Sequence, residues 1–354
     1  MVTKGKASAV AIRKLPFLQR GSNGWNTMLI GIIVAEFVIF GIANPKFLRP
    51  QLFFTSLQDS MPIFIIATFA TFVMMTGGID IQAPAIVGLT SITIGVAWQD
   101  FGFSVWGAMG IAFILAVACG ALSGFFVAYC GVQAMVVTLG GSFLYAGLAL
   151  LISTLSSTAS YQGISGFPNE FKMLASIKIG AVPIDMIFYI LLLIIAYLLL
   201  DKSKYGRKVT LIGVNPQAAE YSGINTRWII MSTYMLSAAS AAVAGILITS
   251  YLGTAKSDLG SDLTMDIVTA IVLGGTLSTG GKGSVIGTAL SSLVIAVVRF
   301  GLPLCFSIGT QYLDIPVGIL LIVIIVGRSA FGGSRLITRL LSRFEKSGKK
   351  VPEI

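Results

Sequence analysis

An all-α polytopic membrane protein is the fold class that this chain of 354 residues predicts. Three observations predict it. Hydrophobic residues make up 55% of the chain and charged residues 11%, against about 25% charged in an average soluble domain. Mean hydropathy is +0.91. Several apolar runs reach the roughly 20 residues that a helix needs to cross a bilayer. These runs are continuous rather than alternating, which disfavours a transmembrane β-barrel.

Taken in order, residues 1–24 are basic and polar and are expected to form a cytoplasmic tail, with no cleaved signal peptide. A membrane domain is expected over 25–328, with a basic cytoplasmic tail over 329–354. The first span runs from Trp25 to Ala43. Glu36 within it must face protein or a wet cavity, because a carboxylate at mid-membrane costs several kcal/mol. Asn44 to Ser60 is a polar outer connector that packs back in part. The second span, Met61 to Thr76, ends in a Gly pair and Asp80. The third covers Pro84 to Trp98, the fourth Val105 to Tyr129, and the fifth Met135 to Ile152. A long polar connector, 153–182, leads to the sixth span, Pro183 to Leu200. The seventh is Ile229 to Leu252. The eighth, Met265 to Leu273, is too short to cross alone. The ninth runs from Ser284 to Leu302 and the tenth from Leu313 to Gly327.

Ten crossings place both termini on one side, and the charges agree. By this reading 18 of the 24 Lys and Arg residues are cytoplasmic, as the positive-inside rule requires. The net charge of +10 is therefore explained by the flanks of apolar spans, and nucleic acid is not an expected partner. The chain has no His, and Cys119, Cys130 and Cys305 have no paired spacing, so a Cys/His metal site and a Ser-His-Asp triad are excluded.

The central polar island, 201–228, carries five Lys/Arg residues between long apolar stretches. Inside it Asn215 suits an N-cap, Pro216 the first helical position, and Gly223 the left-handed stop. A helix of about two turns is marginal alone, so it needs a surface to rest on.

Two apolar spans end in a Gly pair followed by a small polar segment: VMMTGGIDIQAPAIVG, with Gly77, Gly78 and Asp80, and AIVLGGTLSTGGKGSVIG, with Gly274 and Gly275. Backbone that leaves a helix at membrane depth is buried in protein or lines a wet cavity. Each pair is therefore a close helix-packing point, part of a transport path between repeats, or both. Asp80 and Asp266 are helix caps or parts of a gate. GTLSTGGKGS is not a phosphate loop, since Thr276 stands where the first Gly is needed and Gly283 follows Lys282. Any ATP is therefore bound elsewhere, and no cofactor is expected in this chain.

Four segments carry a resemblance to a known family: MTGGIDI (75–81), MVVTLG (135–140), YGRKVTLIGVNPQAAEYSGI (205–224) and DIVTAIVLGGTLSTGGKGSVIGT (266–288). Together they resemble the permease subunits of bacterial ribose-type monosaccharide ABC importers. Within that family YQGISGFP (161–168), SYLGTAKSDLG (250–260) and VGRS (326–329) are most similar to the autoinducer-2 import permeases. Gln82-Ala83-Pro84, Gln133-Ala134 and Thr264 depart from the family pattern.

The resemblance implies a multi-pass protein of the bacterial cytoplasmic (inner) membrane. Two permease subunits, identical or homologous, would be powered by cytoplasmic ATPase subunits that bind ATP, and served by an extracytoplasmic sugar-binding protein. It makes 201–228 the coupling loop, with Gly206 and Arg207 orienting it and Asn215, Pro216, Ala218, Ala219 and Gly223 forming the docking element. Thr138, in MVVTLG, joins Gly77, Gly78, Asp80, Asp266, Gly274 and Gly275 at the path or the helix breaks. An ion- or proton-coupled carrier acting alone is the alternative reading, and an intramembrane enzyme a further one.

Overall fold

The computed structural model describes residues 21–306, 308, 309 and 312–331. Most of both expected tails lies outside this range. Helix α1 (Gly21–Ala43) begins four residues earlier than the sequence reading placed it. Then follow α2 (Pro50–Asp59), α3 (Met61–Met75), α4 (Ala83–Gln99), α5 (Val105–Ala128) and α6 (Ala134–Ser153). A short α7 (Asn169–Ser176) precedes α8 (Ile184–Tyr197), and α9 (Lys204–Val214) and α10 (Pro216–Tyr221) form the island. The last four are α11 (Thr226–Leu252), α12 (Thr264–Leu273), α13 (Val285–Phe306) and α14 (Asp314–Phe331).

Among the described residues six helices are long and apolar enough to cross a membrane, and the bent pair α2–α3, at 52°, makes up to seven. The reading of ten crossings also counts α4, α12 and α14. Of these, α12 has only 10 residues and cannot cross alone.

Every residue of α3 is buried. A helix that is apolar all round belongs in the middle, and α3 sits there, packed against α8, α11, α12 and α13. Helix α4 is nearly as buried and is flanked by α5, α6 and α11. The outer helices keep bare apolar faces: Val34, Val38 and Ile42 on α1, Leu144 and Leu151 on α6, and Ile190 and Ile194 on α8 are exposed. Lipid tails solvate such faces at no hydrophobic cost.

Three expectations change. The connector 44–60 is helical, a 3-10 turn at Pro45–Leu48 followed by α2. It folds back on aromatic rings, with Phe47 fully buried and stacked on Phe300 at 5.2 Å. The polar connector after α6 contains α7 and three short strands of two small β ladders. In one of them β1 (Ile164–Ser165) pairs antiparallel with β4 (Thr254–Ala255), so the two outer connectors are tied together. The other pairs β2 (Lys178–Ile179) with β3 (Val182–Pro183). The island contains an amphipathic α9 as well as the capped helix, and Gly206, Val209 and Ile212 are on its buried side. Glu36 is buried, so it faces protein as expected.

Candidate functional site

The site is built from three chain segments that end in glycine. Helix α3 stops in a Schellman cap: Gly77 has φ +86°, and the Gly78 N–H donates to the Val73 carbonyl at 3.1 Å. Helix α12 stops the same way, with Gly275 at φ +95° and the Thr276 N–H on the Ile271 carbonyl at 3.2 Å. The two breaks thus share one geometry, but Gly77 matches Gly275, one residue out of step with the paired glycines. The remaining members, Gly78 and Gly274, are close packing points. A Cβ on Gly78 would overlap the Tyr234 hydroxyl, and one on Gly274 would lie 2.5 Å from the Thr288 nitrogen.

The third segment is the island. Helix α9 starts at Ser203, whose hydroxyl accepts from the Gly206 N–H at 3.1 Å. A Cβ at Gly206 would overlap the Leu200 carbonyl, so this glycine lets the chain fold back where α8 gives way to α9. The Arg207 side chain is exposed and, among the described residues, makes no hydrogen bond or ion pair, so within this chain the turn is set by Gly206 and the Ser203 cap. The Asn215 carboxamide accepts from the Ala218 N–H at 3.0 Å and Pro216 opens α10, as the sequence indicated. Gly223, at φ +78°, closes it. Ala218 and Ala219 do not form one docking surface. Successive helix residues are turned by about 100°, so Ala218 is exposed while Ala219 is 3% exposed and packs inward. The outward face includes Tyr221, 93% exposed, which the sequence reading passed over although an aromatic in a polar helix marks it.

These three segments meet. The Gly281 N–H donates to the Met75 carbonyl at 2.9 Å, joining the second break to the end of α3. Gly213, near the end of α9, sits on this pair, and a Cβ there would overlap both the Met75 oxygen and the Gly281 nitrogen. A Cβ on Gly280 would lie 2.8 Å from the Gly77 nitrogen and 3.1 Å from the Gly213 Cα. The island and both helix breaks therefore touch backbone to backbone. Trp25 adds α1 to the assembly, its indole N–H donating to the Leu273 carbonyl at 2.9 Å.

Beyond the first break the chain is held by side chains. The Thr138 hydroxyl, fully buried, donates to the Ile79 carbonyl at 3.0 Å. One Asp80 oxygen accepts from the Gln82 N–H at 3.1 Å, supporting the start of α4. The Gln82 carboxamide oxygen accepts from Ser123 at 2.6 Å, and the Ser123 and Tyr145 hydroxyls lie 2.8 Å apart. The Gln82 side chain reaches from the start of α4 to α5, and Gly141 leaves room for it.

Asp266 is an ion-pair partner rather than a cap. It is 2.7 Å from Arg299 of α13, which also reaches Asp314 of α14 at 2.9 Å. Asp314 is exposed and adds little. The arm to buried Asp266 dominates. Arg299→Met is expected to cost about 3 kcal/mol in thermal unfolding, because it strands a buried carboxylate. The double change with Asp266→Leu is expected to recover most of that; equal losses in both would show that the pair is not what stabilises this corner.

A bundle of long apolar helices, with two glycine-capped helix breaks joined backbone to backbone to a polar loop, has the parts of a membrane permease. The family described as "Branched-chain amino acid transport system / permease component" matches residues 52–325, and the chain belongs to it. It is a multi-pass inner-membrane protein and a permease subunit of an ABC importer, a class that works with ATPase subunits and a substrate-binding protein.

The chain is similar to "Autoinducer 2 import system permease protein LsrD" of Klebsiella pneumoniae, 36% identical over 305 residues, covering 86% of this chain and 91% of that protein. The protein of the same name from Enterobacter sp. is 37% identical over 305 residues, covering 86% and 93%. That from Escherichia coli K12 is 37% identical over 306 residues, covering 86% and 92%. No solved structure matches the chain at a significant level.

Proposed function

We propose that this subunit pairs with a second permease subunit and imports a small sugar-like molecule, of the ribose or autoinducer-2 kind, by ATP-driven alternating access. Both termini and the island lie on the cytoplasmic side in this reading. The relatives' printed name, an autoinducer 2 import system, supports the substrate class. The observation that carries the mechanism is the contact of Gly213 with Met75 and Gly281, which connects the island to both helix breaks without an intervening side chain. Displacement of α9 and α10 by an ATPase subunit is then felt at the ends of α3 and α12.

The docking face is the outward side of α10, with Ala218 and Tyr221. Ala218→Glu is expected to insert normally and to lower ATP-driven uptake about tenfold or more, as a charge placed at the centre of an interface does. Ala219→Glu is expected to fail earlier, at folding, because that side chain is buried. Uptake in reconstituted vesicles, normalised to inserted protein, is the measurement. A wild-type rate for Ala218→Glu would remove α10 from the docking surface.

A further inference from the structure

A pocket of about 320 Å³ opens between the start of α4, the middle of α6 and the connector that leads into α12. The connector is held down along α4. A Cβ on Gly95 would lie 2.8 Å from the Ala255 Cβ, one on Gly88 would overlap the Ser257 carbonyl, and one on Gly260 would lie 2.8 Å from the Pro84 carbonyl. From Gly95 to Pro84 a helix descends about 16 Å. Irregular backbone therefore reaches well below the outer surface of the bundle, where it has to be buried or line a wet cavity. Ser91 pins it there, its hydroxyl accepting from the Lys256 N–H at 3.2 Å.

The polar lining is one carboxylate, Asp258, with the hydroxyls of Ser142, Ser257, Ser261 and Thr264. None of the lining residues is Lys or Arg. The rest of the wall is apolar and includes Pro84 and the ring of Phe143, which is 73% exposed. This set fits a small neutral molecule with several hydroxyl groups. Its O–H groups donate to the carboxylate and exchange hydrogen bonds with the hydroxyls, and its C–H face lies on the ring. An amino acid's carboxylate would find no cationic partner, and a phosphate would face Asp258. The volume is at the low end for ligand sites and holds one monosaccharide-sized molecule.

We propose that this pocket is a substrate subsite of the permease, selective for neutral polyhydroxylated molecules, with Asp258 as its anchoring acceptor. The proposal rests on the importer reading above and adds the residues and the chemistry of selection.

The test uses the intact permease–ATPase complex with its binding protein. Asp258→Ala and Asp258→Asn are expected to lower ATP-driven uptake of autoinducer 2 or D-ribose about tenfold or more, normalised to assembled complex. In a second arm, Phe143→Trp in the complex without binding protein is titrated with autoinducer 2, D-ribose and L-leucine. A saturable fluorescence change is expected with a hydroxylated probe and not with leucine, weakened about tenfold or more by Asp258→Asn. Wild-type uptake in Asp258→Ala, no saturable change with any probe, or an equal response to leucine would each overturn the subsite. A wild-type complex without ATP-driven uptake would overturn the importer reading instead, and the fluorescence arm would still decide the subsite.

Discussion

Gly213→Val is expected to abolish uptake while the protein still inserts in the membrane. Even an alanine Cβ at this position would overlap the Met75 oxygen and the Gly281 nitrogen, which are themselves hydrogen-bonded partners at 2.9 Å through the Gly281 N–H. Both neighbours are backbone, so neither can rotate aside as a side chain would. The junction has to separate, at a cost of roughly 3 kcal/mol or more for valine. Membrane insertion depends on the apolar spans, which this change leaves alone. Gly213→Ala is expected to give an intermediate loss. ATP-driven uptake and the amount of inserted protein are measured together. A Gly213→Val protein that transports at the wild-type rate would show that the island does not act through this contact.

Gly78→Leu is expected to have the next largest effect. Its Cβ would overlap the Tyr234 hydroxyl and come within 3.0 Å of Val73, in a position where the surroundings are fully buried. Overpacking of this kind costs about 1–3 kcal/mol, and here it also moves the first break away from α11. Gly275→Leu acts differently. It forces a branched side chain into φ +95° and presses on the Trp25 ring at 3.0 Å, endangering the hydrogen bond from Trp25 to Leu273. Both variants are expected to lose most uptake, with Gly78→Leu also losing thermal stability in detergent. Wild-type uptake in both would remove the helix breaks from the mechanism.

Much of the fold was legible because lipid dictates composition. Long apolar runs, the placement of Lys and Arg, and the Asn-Pro and Gly signals around α10 all follow from local chemistry, and the structure places helices there. Helix α9 was not legible, since its charged residues mask a buried side made only of Gly206, Val209 and Ile212. Helix α2 was hidden for a similar reason, having no side-chain cap and a mixed sequence. The division of Ala218 from Ala219 needed the helix phase, which two identical neighbours do not reveal.

From the sequence alone came the class of protein, the positions of the breaks and the capped helix of the island, because each depends on residues within a few positions of one another. The pairing of Asp266 with Arg299 and the reach of Gln82 to Ser123 were decided only by the tertiary structure. So was the meeting of Gly77, Gly213, Gly280 and Gly281. These glycines come from three segments far apart in the chain and carry no side chain to signal a partner. What makes each of them necessary is the backbone of another segment, and that is present only in the folded molecule.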